Sequence, residues 1–286
     1  MKTVDIAAVE KIIAEVAAAE IMPRFRKLGQ GDIEMKGVND PVTIADKAAE
    51  EALIARFKEV LPGSVFVGEE CYAKDPKIIS HFDGKDDVWV IDPIDGTRNF
   101  IEGRTEFGVM VALVRRKQTV AAWIHDPNTG DTLMAEQGGG VWMRGDKMHL
   151  ASDDPAIPKL AIIGGLIKKA LRKPESAQIV AALPALAAGS ASAFDYGRLF
   201  SGSANFANSL SPRVAYILHL TAKCWDHVPG LFLQAEAGGY SAALSGNPYD
   251  LKDSHCGVLV APNLLTWNNL YNAVQPIVGA LDATND

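Results

Sequence analysis

"WVIDPIDGTRNF", Trp89 to Phe100, places two aspartates three residues apart directly after an apolar run. Val88 to Ile91 has the unbroken hydrophobicity of a buried strand, and Asp92 and Asp95 follow it on either side of Pro93 and Ile94. Carboxylates this close repel each other, so the pair needs a compensating cation, unless one acid starts a turn and the other caps a helix. Asp92 before Pro93 is an ordinary turn start. A second acid ahead of Gly96 and Thr97 is not something turn chemistry requires.

Further acidic signals lie elsewhere: Asp46 in "DPVTIAD", Glu69 and Glu70 in "VGEE", and Asp226 in "CWDHVPG". Each has an ordinary reading. Asp46 suits an exposed helix position, Glu69 and Glu70 suit loop charges, and Asp226 suits the cap of a helix beginning near Pro229. Taken together they are the oxygen ligands of a hard cation. Mg²⁺ takes such ligands at about 2.0–2.1 Å and shares its shell with phosphate and water, so a phosphate ester is the substrate such a site serves best. Gly96 and Thr97, where they open a helix or tight turn, present backbone N–H groups to phosphate oxygens.

Helical spacing of Ile6, Val9, Ile12, Ile13, Val16 and Ile21 predicts a helix over residues 5 to 22, and a second over Ile44 to Val60, stopped by Leu61-Pro62-Gly63. "SVFVGEE" predicts a short strand ending in two acids. The runs "FGVMVALV", "TVAAWI", "DTLMAE" and "GVWMR" predict an antiparallel meander. Beyond Lys159, strand-like "KLAIIGG", "VAYILHL" and "GVLVAP" alternate with helical stretches at about 175–186, 230–237 and 264–278. The expectation is an α/β protein. An α+β unit over 1–150 carries most of the acids, and an α/β unit over 151–286 carries Asp226, with the site in the cleft between them.

At 286 residues, 48% hydrophobic and 22% charged, the chain has the composition of a globular protein with a real core. A net charge of −7 argues against nucleic-acid and anionic-membrane partners, while a metal can still reconcile an acidic protein with a phosphorylated substrate. Cys71, Cys224 and Cys256 are odd in number and scattered, which argues against a disulfide framework or zinc site and for the cytoplasm. Glu10, Lys11, Glu15 and Glu20 break the alanine-rich start, unlike a signal-peptide core, and no apolar run is long enough to cross a bilayer.

"GEE", "WVIDPIDGTRNF" and "CWDHVPGLFLQAEAGG" together resemble the inositol monophosphatase family of Mg²⁺-dependent, lithium-sensitive-type phosphatases; "DPVTIAD" and "DPNTGDTLMAEQGGGVWMRG" extend the likeness over nearly the whole chain. The resemblance implies a layered αβαβα sandwich and, commonly, a homodimer. It implies Glu69, Asp92 and the Ile94 carbonyl as ligands of one Mg²⁺ and Asp92, Asp95 and Asp226 as ligands of a second, with a third ion near Glu69 possible. Glu69 and Thr97 would position and activate the attacking water, Asp46 would hydrogen-bond Thr97, and Asp92, Gly96 and Thr97 would face the phosphate. "SGSANFAN" resembles the family segment that contacts substrate hydroxyls, which implicates Gly202, Ser203 and Ala204. The chain departs from the family pattern at Val228 and Pro229, where two alanines are usual, and at His219, where inositol-selective members carry a glutamate. A neutral imidazole donates as well as accepts, so His219 points to a changed hydroxyl contact, or simply to a half-buried strand histidine. The expected substrate is a small phosphorylated polyol, sugar or related metabolite. The rival is a regulatory protein that keeps the fold and binds metal or partner proteins with little catalysis.

Overall fold

The computed structural model describes residues 4–37, 40–150, 161–163, 186–201, 214–253 and 256–282. Helix α1 (Ile6–Val16) starts at Asp5, whose carboxylate accepts from the Ala7 and Ala8 N–H groups, and runs into a π turn over Ala17–Ile21. Strands β1 (Ile33–Gly37) and β2 (Asp40–Thr43) pair as an antiparallel hairpin leading into α2 (Ile44–Val60). Thr43 and Asp46 cap α2 reciprocally, side chain to backbone, which explains its sharp start.

Strand β3 (Val65–Gly68) is shorter than its sequence suggests, because Glu69 and Glu70 belong to the first turn of α3 (Glu69–Lys74). A 3₁₀ segment, Pro76–Asp83, leads to β4 (Asp87–Asp95), and Gly96 then turns the chain into α4 (Thr97–Ile101). Next come β5 (Gly108–Arg115), β6 (Gln118–Asp126), β7 (Asp131–Glu136), β8 (Gly140–Met143) and β9 (Asp146–Leu150), each antiparallel to the one before, as the meander requires.

Strands β10 (Ala161–Ile163) and β11 (Leu186–Ala188) follow. Leu186 therefore opens a strand rather than closing a helix; the rest of that expected helix lies outside the described residues. Then come α5 (Ser192–Gly197), β12 (Phe200–Ser201), β13 (Tyr216–His219), α6 (Cys224–Glu236), β14 (Tyr240–Ala243), β15 (Val258–Ala261) and α7 (Leu264–Asp282).

Among the described residues the larger strands form two mixed sheets, ordered β12-β9-β8-β7-β6-β5-β4-β3 and β11-β10-β13-β15-β14. Their side chains alternate between faces with the strand period of two. Trp89 and Ile91 of β4, with Val109, Val111 and Leu113 of β5, pack beneath α1 and α2. Val88 and Val90, with Met110, Ala112 and Val114, pack on the other face against α5 and α6. Ile217, Val258 and Val260 of the second sheet join that same central core, while Tyr216, Leu218, Leu259 and Ala261 face α7. The layers thus run α, β, α, β, α: an α/β sandwich. Full burial of a Leu or Phe side chain contributes roughly 1.5–3 kcal/mol, and the stacked Phe57 and Trp89 rings, 4.3 Å apart, tie α2 to β4.

Helix α6, between the sheets, lies unusually close to its neighbour. A Cβ on Gly230 would come within 2.1–2.4 Å of the Tyr196 ring, so glycine there lets α5 rest directly on the α6 backbone. That approach sets the position of the α6 first turn.

Candidate active site

Residues i and i+3 of a regular strand point to opposite faces, which would separate Asp92 from Asp95. The β4–β5 register prevents this. Asp92 lies opposite Met110 and Asp95 opposite Gly108, so β4 spends one residue more than β5 over the same span. This bulge returns both carboxylates to one face. Gly96 follows with φ +90°, a left-handed conformation that favours glycine, and a Cβ there would fall 2.8 Å from that of Ala191.

Asp226 comes from the first turn of α6. The helix begins at Cys224, earlier than the sequence reading placed it, because Lys223 occupies the cap position in an extended conformation and Pro229 sits inside the helix. Pro229 forgoes one backbone hydrogen bond there, a cost the surrounding core offsets. Carboxylate oxygens of Asp92, Asp95 and Asp226 all lie within 4.8 Å of one another.

Asp92 and Asp95 are buried and Asp226 partly so. Burial raises all three carboxyls above the usual range: Asp92 and Asp226 strongly, each pushed further by Glu69 and Asp95. Asp95 rises to about 7, although backbone N–H groups of Ala193 and Ser192 oppose the shift. The Ala193 N–H, at the start of α5, donates to Asp95 Oδ2 at 2.6 Å. Among the described residues no lysine or arginine forms an ion pair with the trio. Oxygen donors that converge and repel, with only the Lys223 ammonium acting on Asp226 from beyond ion-pair distance, fit a hard divalent cation.

Glu69, at the start of α3, does have a partner. Lys36 Nζ donates to Glu69 Oε1 and to Glu70 Oε1, both at 2.7 Å. Burial works against the charge on Lys36, but the two glutamates outweigh it and raise its pKa. Glu50 of α2, also buried, accepts from the Glu70 and Cys71 N–H groups and so fixes the first turn of α3. The sequence reading did not single out Lys36 or Glu50. Their partners lie 33 and 20 residues away, and only the β1–β2 hairpin and the α2–α3 packing bring them close.

Thr97 opens α4, and its hydroxyl lies 3.0 Å from both Asp46 Oδ1 and the Ile94 carbonyl. A hydroxyl has one proton to give, and a carboxylate is the stronger acceptor. Asp46 is buried, and burial lifts its pKa to about 6 against the opposing hydrogen bonds from Thr43. The second-half candidates stand less complete. His219 ends β13, with Nε2 3.8 Å from Asp195 Oδ2 and its ring 4.9 Å from that of His227; burial pushes its pKa down to about 4 and keeps it neutral. Gly202, Ser203 and Ala204 lie outside the described residues.

Residues 2–278 match the model of the inositol monophosphatase family, and the chain belongs to that family. It is 28% identical over 256 residues to an inositol-1-monophosphatase of Mesorhizobium japonicum, covering 90% of this chain and 91% of that one. It is equally 28% identical, over 270 residues, to the Nus factor SuhB of Haemophilus influenzae, covering 93% and 94% of the two chains. The fold matches that of the Thermotoga maritima IMPase with a TM-score of 0.74 at 21% identity, covering 96% and 98%. The family is generally metal-dependent and acts on small phosphorylated substrates. No helix among the described residues is long and apolar enough to cross a membrane.

Proposed function

We propose that this protein is a Mg²⁺-dependent phosphatase that hydrolyses a small phosphate monoester of the inositol, sugar, polyol or related metabolite type. The observation that carries the reading is the convergence of Asp92, Asp95 and Asp226 within 4.8 Å, beside the Thr97–Asp46 hydrogen bond. Asp92, Asp95 and Asp226 would hold one ion, and Asp92, Glu69 and the Ile94 carbonyl another; a third beside Glu69 would compete with Lys36 for the carboxylate. Bound Mg²⁺ supplies positive charge to the phosphate oxygens and lowers the pKa of water.

The chain's own groups do the rest. The Gly96 and Thr97 N–H groups, at the start of α4, face the phosphate side of the turn. Asp46 accepts the hydrogen bond of the Thr97 hydroxyl and leaves the threonine oxygen free to accept from an attacking water. Glu69, at the edge of the cluster, serves as the second acceptor for that water. The paired carboxylates orient and neutralise rather than form a covalent intermediate, which is the main demand of phosphoryl transfer. We further infer that the chain divides near residue 150, works in the cytoplasm and assembles as a homodimer, which light scattering at micromolar concentration tests.

Phosphate release from a panel of metabolite monoesters, with and without Mg²⁺, tests the activity. Release that requires Mg²⁺ supports the reading. The likeness to a Nus factor favours a second one, a regulatory protein of the same fold, and absence of release from every ester would select it.

Thr97→Ala removes the hydroxyl but none of the carboxylates. Its turnover should fall by about 10²–10⁴-fold, the usual worth of acid–base positioning, while the Mg²⁺ concentration for half-maximal rate changes little. An equal loss in metal affinity would make Thr97 a ligand support instead.

A further inference from the structure

Asp95 and Asp226 come from different elements, β4 and α6, yet a shared cation requires their carboxylates to face one point. Helix α5 touches both. At its start the Ala193 N–H donates to Asp95 Oδ2 at 2.6 Å. One turn on, the Tyr196 hydroxyl lies 3.0 Å from Nδ1 of His227, the residue that follows Asp226. The Tyr196 ring rests against the α6 backbone at Gly230. A single helical turn therefore bridges the strand that carries one acid and the helix that carries the other.

The bond between Tyr196 and His227 has a fixed direction. Burial keeps the His227 imidazole neutral, with one N–H to give, and a hydrogen bond to the Thr221 backbone acts the other way, as an N–H given to a carbonyl does. With that proton on Nε2, Nδ1 is a bare acceptor and the Tyr196 O–H donates to it. The phenol is fully buried, and burial together with Asp195, Asp226 and Asp95 lifts its pKa well above the usual range, so it stays a donor. A chain of bonds thus runs from Thr221, in the turn before α6, through His227 to α5 and on to Asp95. A buried tyrosine whose hydroxyl has found a partner can serve stability alone. Here the partner stands next to one acid of the trio, and the same turn of helix holds another.

We propose that Tyr196 is a positioning residue of the cation site: through His227 it holds Asp226 at the spacing from Asp95 that one divalent ion fits. This rests on the cation site of the phosphatase reading. Without the hydroxyl the ring still packs on Gly230, but the first turn of α6 loses its tie to α5. The ion must then draw the acids together itself. Its affinity falls, while the chemistry at a filled site is unchanged.

Isothermal calorimetry of Mg²⁺ binding, with no substrate present, tests this on the wild type, Tyr196→Phe, His227→Leu and the double variant. Tyr196→Phe should bind Mg²⁺ about tenfold more weakly, the worth of one buried hydrogen bond. Half-maximal phosphate release should need correspondingly more Mg²⁺, with kcat at saturating Mg²⁺ held. His227→Leu should weaken binding by a similar factor and the double variant no further, because both changes delete the same bond. Trp267→Phe is the control. It also deletes a buried donor, Trp267 Nε1 to the Leu259 carbonyl at 2.9 Å, but on α7, and should lower stability without changing Mg²⁺ affinity. Unchanged Mg²⁺ affinity in Tyr196→Phe, or an equal loss in Trp267→Phe, overturns the role of Tyr196 alone. Should Tyr196→Phe fail to fold, His227→Leu decides on the same terms. No Mg²⁺ binding by the wild type overturns the cation site, and this inference with it.

Discussion

Asp95→Asn should release phosphate at least ~10³-fold more slowly than the wild type while remaining folded. The substitution keeps the shape, and the amide oxygen can still accept the Ala193 N–H that holds Asp95 in place. What is lost is one negative charge from a trio that shares a cation. Electrostatic stabilisation by a bound metal is worth several kcal/mol, and each 1.36 kcal/mol of barrier is tenfold in rate. The metal-free variant should also melt at a higher temperature than the metal-free wild type near pH 8, because a carboxyl that burial lifts to about 7 no longer has to ionise. Loss of function with gain of stability is a signature that damage to the core cannot produce. Full Mg²⁺-dependent activity in Asp95→Asn would sink the ligand assignment.

Chelation should make the stability of the wild type, measured against Asp95→Asn, depend on pH in the direction opposite to ordinary acid denaturation. Asp92, Asp95 and Asp226 all have folded pKa values raised above the ordinary 3.8 of an aspartate. A group raised in this way contributes stability that is fully present below its unfolded pKa and is lost as pH rises through the folded one. For Asp95 the window runs from 3.8 to about 7. With 1.36 kcal/mol per unit, that group alone costs of order 4 kcal/mol at about pH 8. Without metal, the melting temperature of the wild type relative to Asp95→Asn should therefore fall by roughly 5–10 °C between about pH 5 and pH 8; the buried neutral histidines His125, His219 and His227, whose lowered pKa values pull the other way below pH 6.5, are common to both proteins. Carboxylates whose pKa values ion pairs lower, such as Glu15 beside Arg56 and Asp83 beside Lys252, stay ionised over that range and do not mask the effect. Saturating Mg²⁺ at pH 8 should restore the loss by binding the folded state. A chelated wild type that keeps the same margin from Asp95→Asn at both pH values, or is indifferent to Mg²⁺, would contradict a cation site at the trio.

The parts of this molecule that were legible in its sequence are those fixed by short-range rules. The bounds of α2 follow from the Thr43 cap and the Leu61-Pro62-Gly63 stop, and the meander from β5 to β8 follows from the spacing of its apolar runs. The Asp92–Asp95 pair stood out because turn chemistry after a buried strand requires no second acid there. Contacts across the chain were not legible. Nothing local marks Lys36 as the partner of Glu69 and Glu70, or Glu50 as the anchor of α3. The start of α6 was misplaced because Lys223, at its cap, offers no side-chain oxygen and Pro229 read as a first-turn residue. Likewise Glu69 and Glu70 read as strand-end charges because Gly68, at the cap of α3, makes no side-chain bond there.

Asp46 divides its two oxygens between separate tasks: Oδ2 accepts from the Thr43 backbone and hydroxyl at the start of α2, and Oδ1 accepts from Thr97. The placement of the Thr97 hydroxyl is thus inherited from the rule that starts a helix more than fifty residues earlier in the chain. Anyone grafting this centre onto another scaffold would have to carry the first turn of α2 along with the aspartates, or rebuild its hold on Thr97 from elsewhere. A protein engineer seeking to stiffen α2 by exchanging its capping residues would, for the same reason, be moving the Thr97 hydroxyl.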